Sequence, residues 1–163
     1  HFSSAMTMLG KTDGASAAEG VGYLDIAAFI RANGASPKKD LVELWKRIVF
    51  NMAVSNTDDH LRNHGFILTN TGWRLSPMYD VNPIPEGDEL SLNVSENSNA
   101  ISVVLAIETA TYYDIDETDA RTMATEILST VKNNWEFVAK KYGLSRSDIE
   151  DMRPAFYACD EVI

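Results

Sequence analysis

Residues 56–68, NTDDHLRNHGFIL, crowd two aspartates, two asparagines, two histidines and an arginine ahead of a short apolar run. Asp58 and Asn63 stand five positions apart, where a helix-like segment gives way to a strand-like one. A loop at such a junction can aim both side chains into one cleft. Asp80 follows a second strand-like segment, 73–75, which the turn TNTG separates from the first, 66–68. A hairpin returns the end of its second strand to the start of its first, so the loops 56–65 and 76–82 are expected to be neighbours. An Asp, an Asn and a second Asp brought together in this way suit phosphoryl transfer. One carboxylate orients the attacking hydroxyl and receives its proton. An amide oxygen and the second carboxylate hold magnesium, a hard ion that prefers oxygen ligands, against nucleotide phosphates. Positioning and charge neutralisation carry the rate of such a reaction.

The surrounding elements must place these loops. Apolar residues at helical spacing predict a helix over 23–32, ending near Gly34. Ser36-Pro37 reads as an N-cap followed by proline at the first helical position. From there Leu41, Leu44, Trp45, Ile48, Val49, Met52 and Ala53 form a core-facing stripe that delivers the chain to Asn56. Residues 10–22, with four glycines, read as a loop; their GKT lacks the upstream glycine of a phosphate-binding loop. SPMYDVNPIPEGDE is also a loop, because its prolines and glycine preclude a regular element. Residues 90–94 suggest another short strand, and residues 101–113 a buried helix. A longer helix opens at Asp116 and keeps the stripe Ala120, Met123, Ala124, Ile127, Leu128, Val131, Trp135, Val138 and Tyr142 before Gly143. Ser145, with Asp148 three residues on, opens the last helix as a capping box. The fold expected is mainly α with a small β-hairpin.

With 163 residues the chain is expected to form a single domain. A domain of this size buries roughly 70% of its unfolded surface. The net charge of −10 argues against a protein that lives on a nucleic-acid backbone, which needs clustered lysines and arginines. Surplus negative charge instead suits a site for divalent cations. Cys159 is the single cysteine and forms no internal disulfide. No apolar run is long enough to span a bilayer, and no signal peptide is visible. A cytoplasmic protein is expected. The chain begins with His1 rather than Met, which suits a piece of a longer protein.

The order Asp, four residues, Asn, short hairpin, Asp is the layout that protein kinases use. SNTDDHLRNHGFIL followed by WRLSPMYDVNP resembles the C-terminal kinase domain of the HipA family, bacterial serine/threonine kinases that usually act as the toxin of a toxin–antitoxin pair. That family's catalytic loop has the form Asn-x-Asp-x-His-x-x-Asn and its metal motif is a Pro-x-Tyr-Asp segment. HFSSAMTMLG and LAIETATYYDID…WEFVAKKYGLS resemble the same family's helical region, so the resemblance extends over nearly the whole chain. It implies a protein-kinase-like C-terminal lobe and an ATP- and magnesium-dependent activity on a Ser/Thr acceptor of a protein substrate. It also implies a HipB-like DNA-binding antitoxin as partner. By position, Asp58 would be the catalytic base and Asn63 and Asp80 the magnesium ligands. His60 and Tyr79 would lie beside the nucleotide. The His-Arg that ordinarily precedes a kinase base is absent, and YDV stands in place of Asp-Phe-Gly. Asp59 keeps three readings open: a hydrogen-bond acceptor behind the base, a loop cap, or the base itself; the five-residue step to Asn63 favours Asp58.

Three other readings stand beside this one. Asn56, Thr57 and Asp58 can simply turn and cap a surface loop. His60 and His64, four apart, would share a face for zinc on a continuing helix, giving a metal-dependent hydrolase. Gly65 and the strand-like FIL oppose that helix, and His64 is expected to be solvent-exposed or capping. A kinase-like helical module could also act in protein–protein interaction without catalysis. The glycine-rich loop and the lysine that grip ATP are not recognisable ahead of residue 36, so this chain is expected to be the C-terminal lobe alone. It should then bind MgATP weakly or not at all. Titration calorimetry checks this, and micromolar binding by this chain would show that an N-terminal lobe is dispensable.

Overall fold

A computed structural model describes all residues, 1–163. Its central element is helix α3, Pro37–Ala53, whose predicted stripe is buried at every position. Trp45 lies wholly inside, with its indole N–H donating to the Ala106 carbonyl at 2.8 Å. That bond satisfies the one polar atom of a large apolar side chain. Helix α2, Tyr23–Asn33, packs against α3 through Tyr23, Ile26, Ala27 and Ile30. Pro37 occupies the first turn of α3 as expected. Ser36 stands at the N-cap position, but its hydroxyl makes no capping bond.

Strand β2, Gly65–Thr69, and strand β3, Gly72–Leu75, form the expected antiparallel hairpin, with Phe66 opposite Leu75 and Thr69 opposite Gly72. Gly72 has φ +137°, a conformation costly for a residue with a Cβ. The sheet is larger than the expected hairpin. A third strand, β1, Phe2–Ser4, pairs with the other edge of β2 and leads into the one-turn helix α1, Ala5–Met8. The opening segment was expected in a helical region; its strand has no local signature, because three residues become a strand only when an edge is offered to them.

Three further expectations need correcting. Residues 90–94 form no strand; an isolated bridge joins Asn93 to Gly22, and a second flanks the segment between Glu89 and Ala100. The helix expected over 101–113 is broken. Helix α4, Val103–Glu108, gives way at Thr109, whose hydroxyl donates back to the Leu105 and Ala106 carbonyls, and a 3₁₀ turn, Ala110–Tyr113, follows. Helix α5, Glu117–Lys141, is capped by Asp116 as predicted, but its apolar stripe outruns the core. Ala120, Ala124, Leu128 and Val131 are buried, whereas Val138 is 46% and Tyr142 75% exposed. Helix α6, Arg146–Met152, carries the predicted Ser145–Asp148 capping box. It and the 3₁₀ segment Arg153–Asp160 flank an apolar groove of about 440 Å³ that Phe50, Pro83, Trp135, Val138 and Phe156 help to line.

One ion pair fastens the hairpin to α3. Asp40, buried in the first turn of α3, accepts two-pronged bonds from Arg74 at 2.8 and 2.9 Å and a third from the Leu75 amide at 3.1 Å. Removing it strands a half-buried guanidinium and a buried N–H. Asp40→Ala is therefore expected to lower unfolding free energy by about 2–4 kcal/mol in urea titration. Asp40→Asn, which keeps an acceptor for the Leu75 amide, should lose less.

Candidate active site

At the C-terminal end of α3 the chain turns through Ser55, which has φ +46°, and enters the polar loop. Asn56 donates its amide back to the Asn51 carbonyl at 2.8 Å. The loop then passes Asp58 and Asp59, makes a 3₁₀ turn at Leu61–Asn63, and joins β2 at Gly65. The other loop leaves β3 at Ser76. The buried Arg47 of α3 donates to the Ser76 carbonyl at 2.7 Å, and the Ser76 amide donates to the Gly65 carbonyl at 2.8 Å. Both loops therefore depart from adjacent points, as the hairpin argument requires.

Asn63 joins them. Its side-chain amide donates to the Asp58 carbonyl at 3.2 Å and, at the long limit of 3.5 Å, to the Asp80 carbonyl. With Nδ2 committed to two backbones, Oδ1 is left as the free acceptor of a buried side chain. A second link runs beside it: the Tyr79 hydroxyl donates to the Arg62 carbonyl at 2.6 Å. Burial and the nearby Asp80 charge both raise the Tyr79 phenol above its ordinary value, so it stays a donor. Asp80 is exposed and has φ +55°. Ser55, Asp80 and Asp114 are the non-glycine residues with positive φ, and two of these three bracket this site. Each such conformation costs about 1–3 kcal/mol and persists where surrounding contacts enforce it.

The adjacent carboxylates have opposite surroundings. Asp58 is exposed; Asp59 is 2% exposed. Asp59 Oδ2 accepts from the Tyr23 hydroxyl at 2.6 Å, the Asn51 amide at 2.6 Å and His64 Nε2 at 2.9 Å. The tautomer with hydrogen on Nε2 is assigned from this contact. Asn51 in turn accepts from Asn56 at 3.2 Å. His64, expected to be exposed or capping, is buried beneath the loop, because only there does its ring meet both Asp59 and the edge of Tyr23, 5.7 Å between centroids. The zinc arrangement of His60 and His64 is not what forms: the 3₁₀ turn separates them, His64 is committed to Asp59, and no three His, Cys, Asp or Glu side chains gather as a metal group.

His60 and Asp58 line a polar cavity of about 400 Å³, walled by Leu61, Arg62 and the loop 12–16. Arg62 reaches across to Asp13 at 3.2 Å, a pair in which both side chains are exposed and which contributes little to stability. Neither Asn63 nor Asp80 lines that cavity. One ring nitrogen of His60, Nδ1, is buried without a partner. Of the predicted residues, Asp58, Asn63, Tyr79 and Asp80 meet along the two loops and His60 shares the cavity with Asp58. Tyr23, Asn51, His64 and Arg47 were not singled out. Asn51 did leave a trace, as an amide one position before Met52 in an otherwise apolar stretch; Tyr23 left none.

The donor chemistry fits a hard cation. Asn63 Oδ1 and the Asp80 carboxylate are oxygen donors, the kind that magnesium takes from a protein before it completes its shell with water and phosphate.

Burial raises the phenols of Tyr23 and Tyr113 well above the ordinary 10.0, and the Asp59 charge adds to the effect at Tyr23. The unfolded chain therefore loses these protons first. Their stabilisation is full below about pH 10 and falls as pH rises through the folded-state values. Urea midpoints measured from about pH 9 to 11 should decline more steeply in the wild type than in Tyr23→Phe. At neutral pH that variant should be about 1–2 kcal/mol less stable, since Asp59 loses a donor.

The description "HipA-like C-terminal domain" belongs to a family model that matches residues 1–135. Among solved structures, the fold is similar to a chain of the Shewanella oneidensis MR-1 toxin–antitoxin complex of HipA, HipB and operator DNA. The TM-score is 0.80 at 14% identity, over 98% of this chain and 43% of that one. At this identity the likeness shows the fold alone. Curated proteins give no significant match.

Proposed function

Because the chain belongs to the HipA-like C-terminal domain family, we propose that it is the catalytic-loop lobe of an ATP- and magnesium-dependent serine/threonine protein kinase of the HipA toxin type. The observation that carries this reading is the Asn63 amide, which binds the backbone of both aspartate-bearing loops at once. It brings the Asp58 segment and the Asp80 segment to one place without using the Asn63 oxygen.

In this reading Asp58 faces the cavity and takes the proton from an acceptor serine or threonine hydroxyl. The acceptor oxygen forms a bond to the γ-phosphorus of ATP as the bond to the bridging oxygen breaks, and ADP leaves. Magnesium, when bound, neutralises phosphate charge. Asn63 Oδ1 and the Asp80 carboxylate are the groups that would hold it. His60 stands on the cavity side near the nucleotide. Tyr79 holds the Asp80 loop to the Asp58 loop through the Arg62 carbonyl.

This chain spans 43% of the length of the solved chain it matches. The lysine and glycine-rich loop that close over ATP are proposed to come from an N-terminal lobe of a longer protein. A HipB-like DNA-binding antitoxin is the proposed partner, supported by the complex in which the similar fold occurs. No helix is long and apolar enough to cross a membrane. One observation favours a second reading, a kinase-like module that binds a partner without catalysis: the apolar groove beyond α5.

Phosphorylation by the intact protein separates these. Asp58→Ala is expected to lose about 10²–10⁴-fold in rate. Asn63→Ala and Asp80→Ala should also remove most activity, with a higher magnesium requirement in whatever remains. Wild-type rates in all three variants would sink the assignment. Phosphate release without acceptor modification would point to a phosphohydrolase.

A further inference from the structure

The backbone amides of residues 58–60 make no hydrogen bond within the chain. This stretch carries Asp58, yet no ladder or helix holds it. Its shape has to come from side chains. Asp59 supplies most of that restraint, because one carboxylate oxygen gathers donors from three separate elements: Tyr23 in α2, Asn51 in α3 and His64 at the entry to β2. These partners lie 36, 8 and 5 residues away in sequence. Asn56 braces Asn51 from the other end of the loop.

We propose that Asp59 is the positioning residue of this site, a buried anchor that sets the 56–64 backbone so that Asp58 faces the cavity and Asn63 reaches both loop carbonyls. The inference rests on the phosphoryl-transfer reading of Asp58, Asn63 and Asp80. Asp59 acts on Asp58 through the peptide bond between them. It acts on Asn63 through His64, the next residue along, whose ring it holds. Asp59 is not itself the base: it is shut away from the cavity that Asp58 and His60 line, and its Oδ2 is already occupied by three donors.

Two measurements test this. The first is amide hydrogen exchange of Asn56, Thr57 and Asn63 in this chain, with α5 amides as the internal reference. Asp59→Asn keeps the shape but removes the charge, leaving a neutral amide oxygen as a weaker acceptor for the three donors that meet at Oδ2. It should speed exchange at those three amides about tenfold while α5 is unchanged. Exchange within about twofold of wild type in the folded variant would overturn the proposal. Should Asp59→Asn unfold, Tyr23→Phe, which removes one donor, decides by the same readout: faster exchange at the three amides supports the anchor, and unchanged exchange refutes it.

The second measurement is phosphorylation by the intact protein. Asp59→Asn should lower kcat about 10–100-fold and leave KM for ATP within about twofold. An unaltered kcat refutes the positioning role. A wild-type protein that transfers no phosphate defeats the phosphoryl-transfer reading, and the exchange experiment still reports whether Asp59 holds the loop.

Discussion

A carboxylate cut off from water has to be satisfied by the protein around it, and at Asp59 that demand organises the centre of the molecule. Burying such a group costs several kcal/mol unless donors meet it. Tyr23, Asn51 and His64 do so from α2, α3 and the start of β2. Each donor must therefore stand where the other two allow. The docking of α2 on α3, the exit of the chain from α3 and the entry into the sheet are coupled through one oxygen atom. Removing Asp59 would leave three buried donors without their acceptor, and removing any one donor leaves the carboxylate one partner short, so the members depend on one another.

Around that centre the remaining polar side chains form a scaffold for two loops. Asp40 clamps Arg74 and the Leu75 amide, which fixes the far strand of the hairpin to α3. Arg47, two turns along the same helix, holds the Ser76 carbonyl where the second loop departs. Asn63 and Tyr79 then tie that loop to the first. The Asp80 carbonyl, at a residue with left-handed backbone, accepts one of these bonds, from Asn63. The result is a rigid floor with Asp58 projecting from it.

The same chain leaves two surfaces of different character. The cavity at Asp58 is polar and sits beside the loop 12–16, whereas the groove is apolar and runs along the C-terminal half of α5 from Thr130 onward. Family membership extends over residues 1–135, which contain the whole of the polar site and stop at Trp135, within the wall of the groove. The polar site thus lies within the matched residues, while the groove depends also on α6 and the 3₁₀ segment after it.

Short-range pattern was enough to place much of this. The stripe from Leu41 to Ala53 obeys helical period, the TNTG turn sets a hairpin, and Asp58, Asn63 and Asp80 fall where that hairpin makes their loops adjacent. The capping pairs at Asp116 and Ser145 were equally readable, because an N-cap and its partner lie three residues apart. What was not readable depended on partners distant in the chain. Strand β1 exists because β2 offers an open edge more than 60 residues later. Whether Asp59 or Asp58 turned inward was undecidable from two identical neighbours, and was settled by a tyrosine 36 residues upstream. His64 is buried for the same reason. Periodicity carried the α5 stripe past Val131 without any sign that the core had ended. Local chemistry dictates which elements form and which residues they can present; burial, which turns a polar residue into an anchor or leaves it facing solvent, is a property of the packed whole.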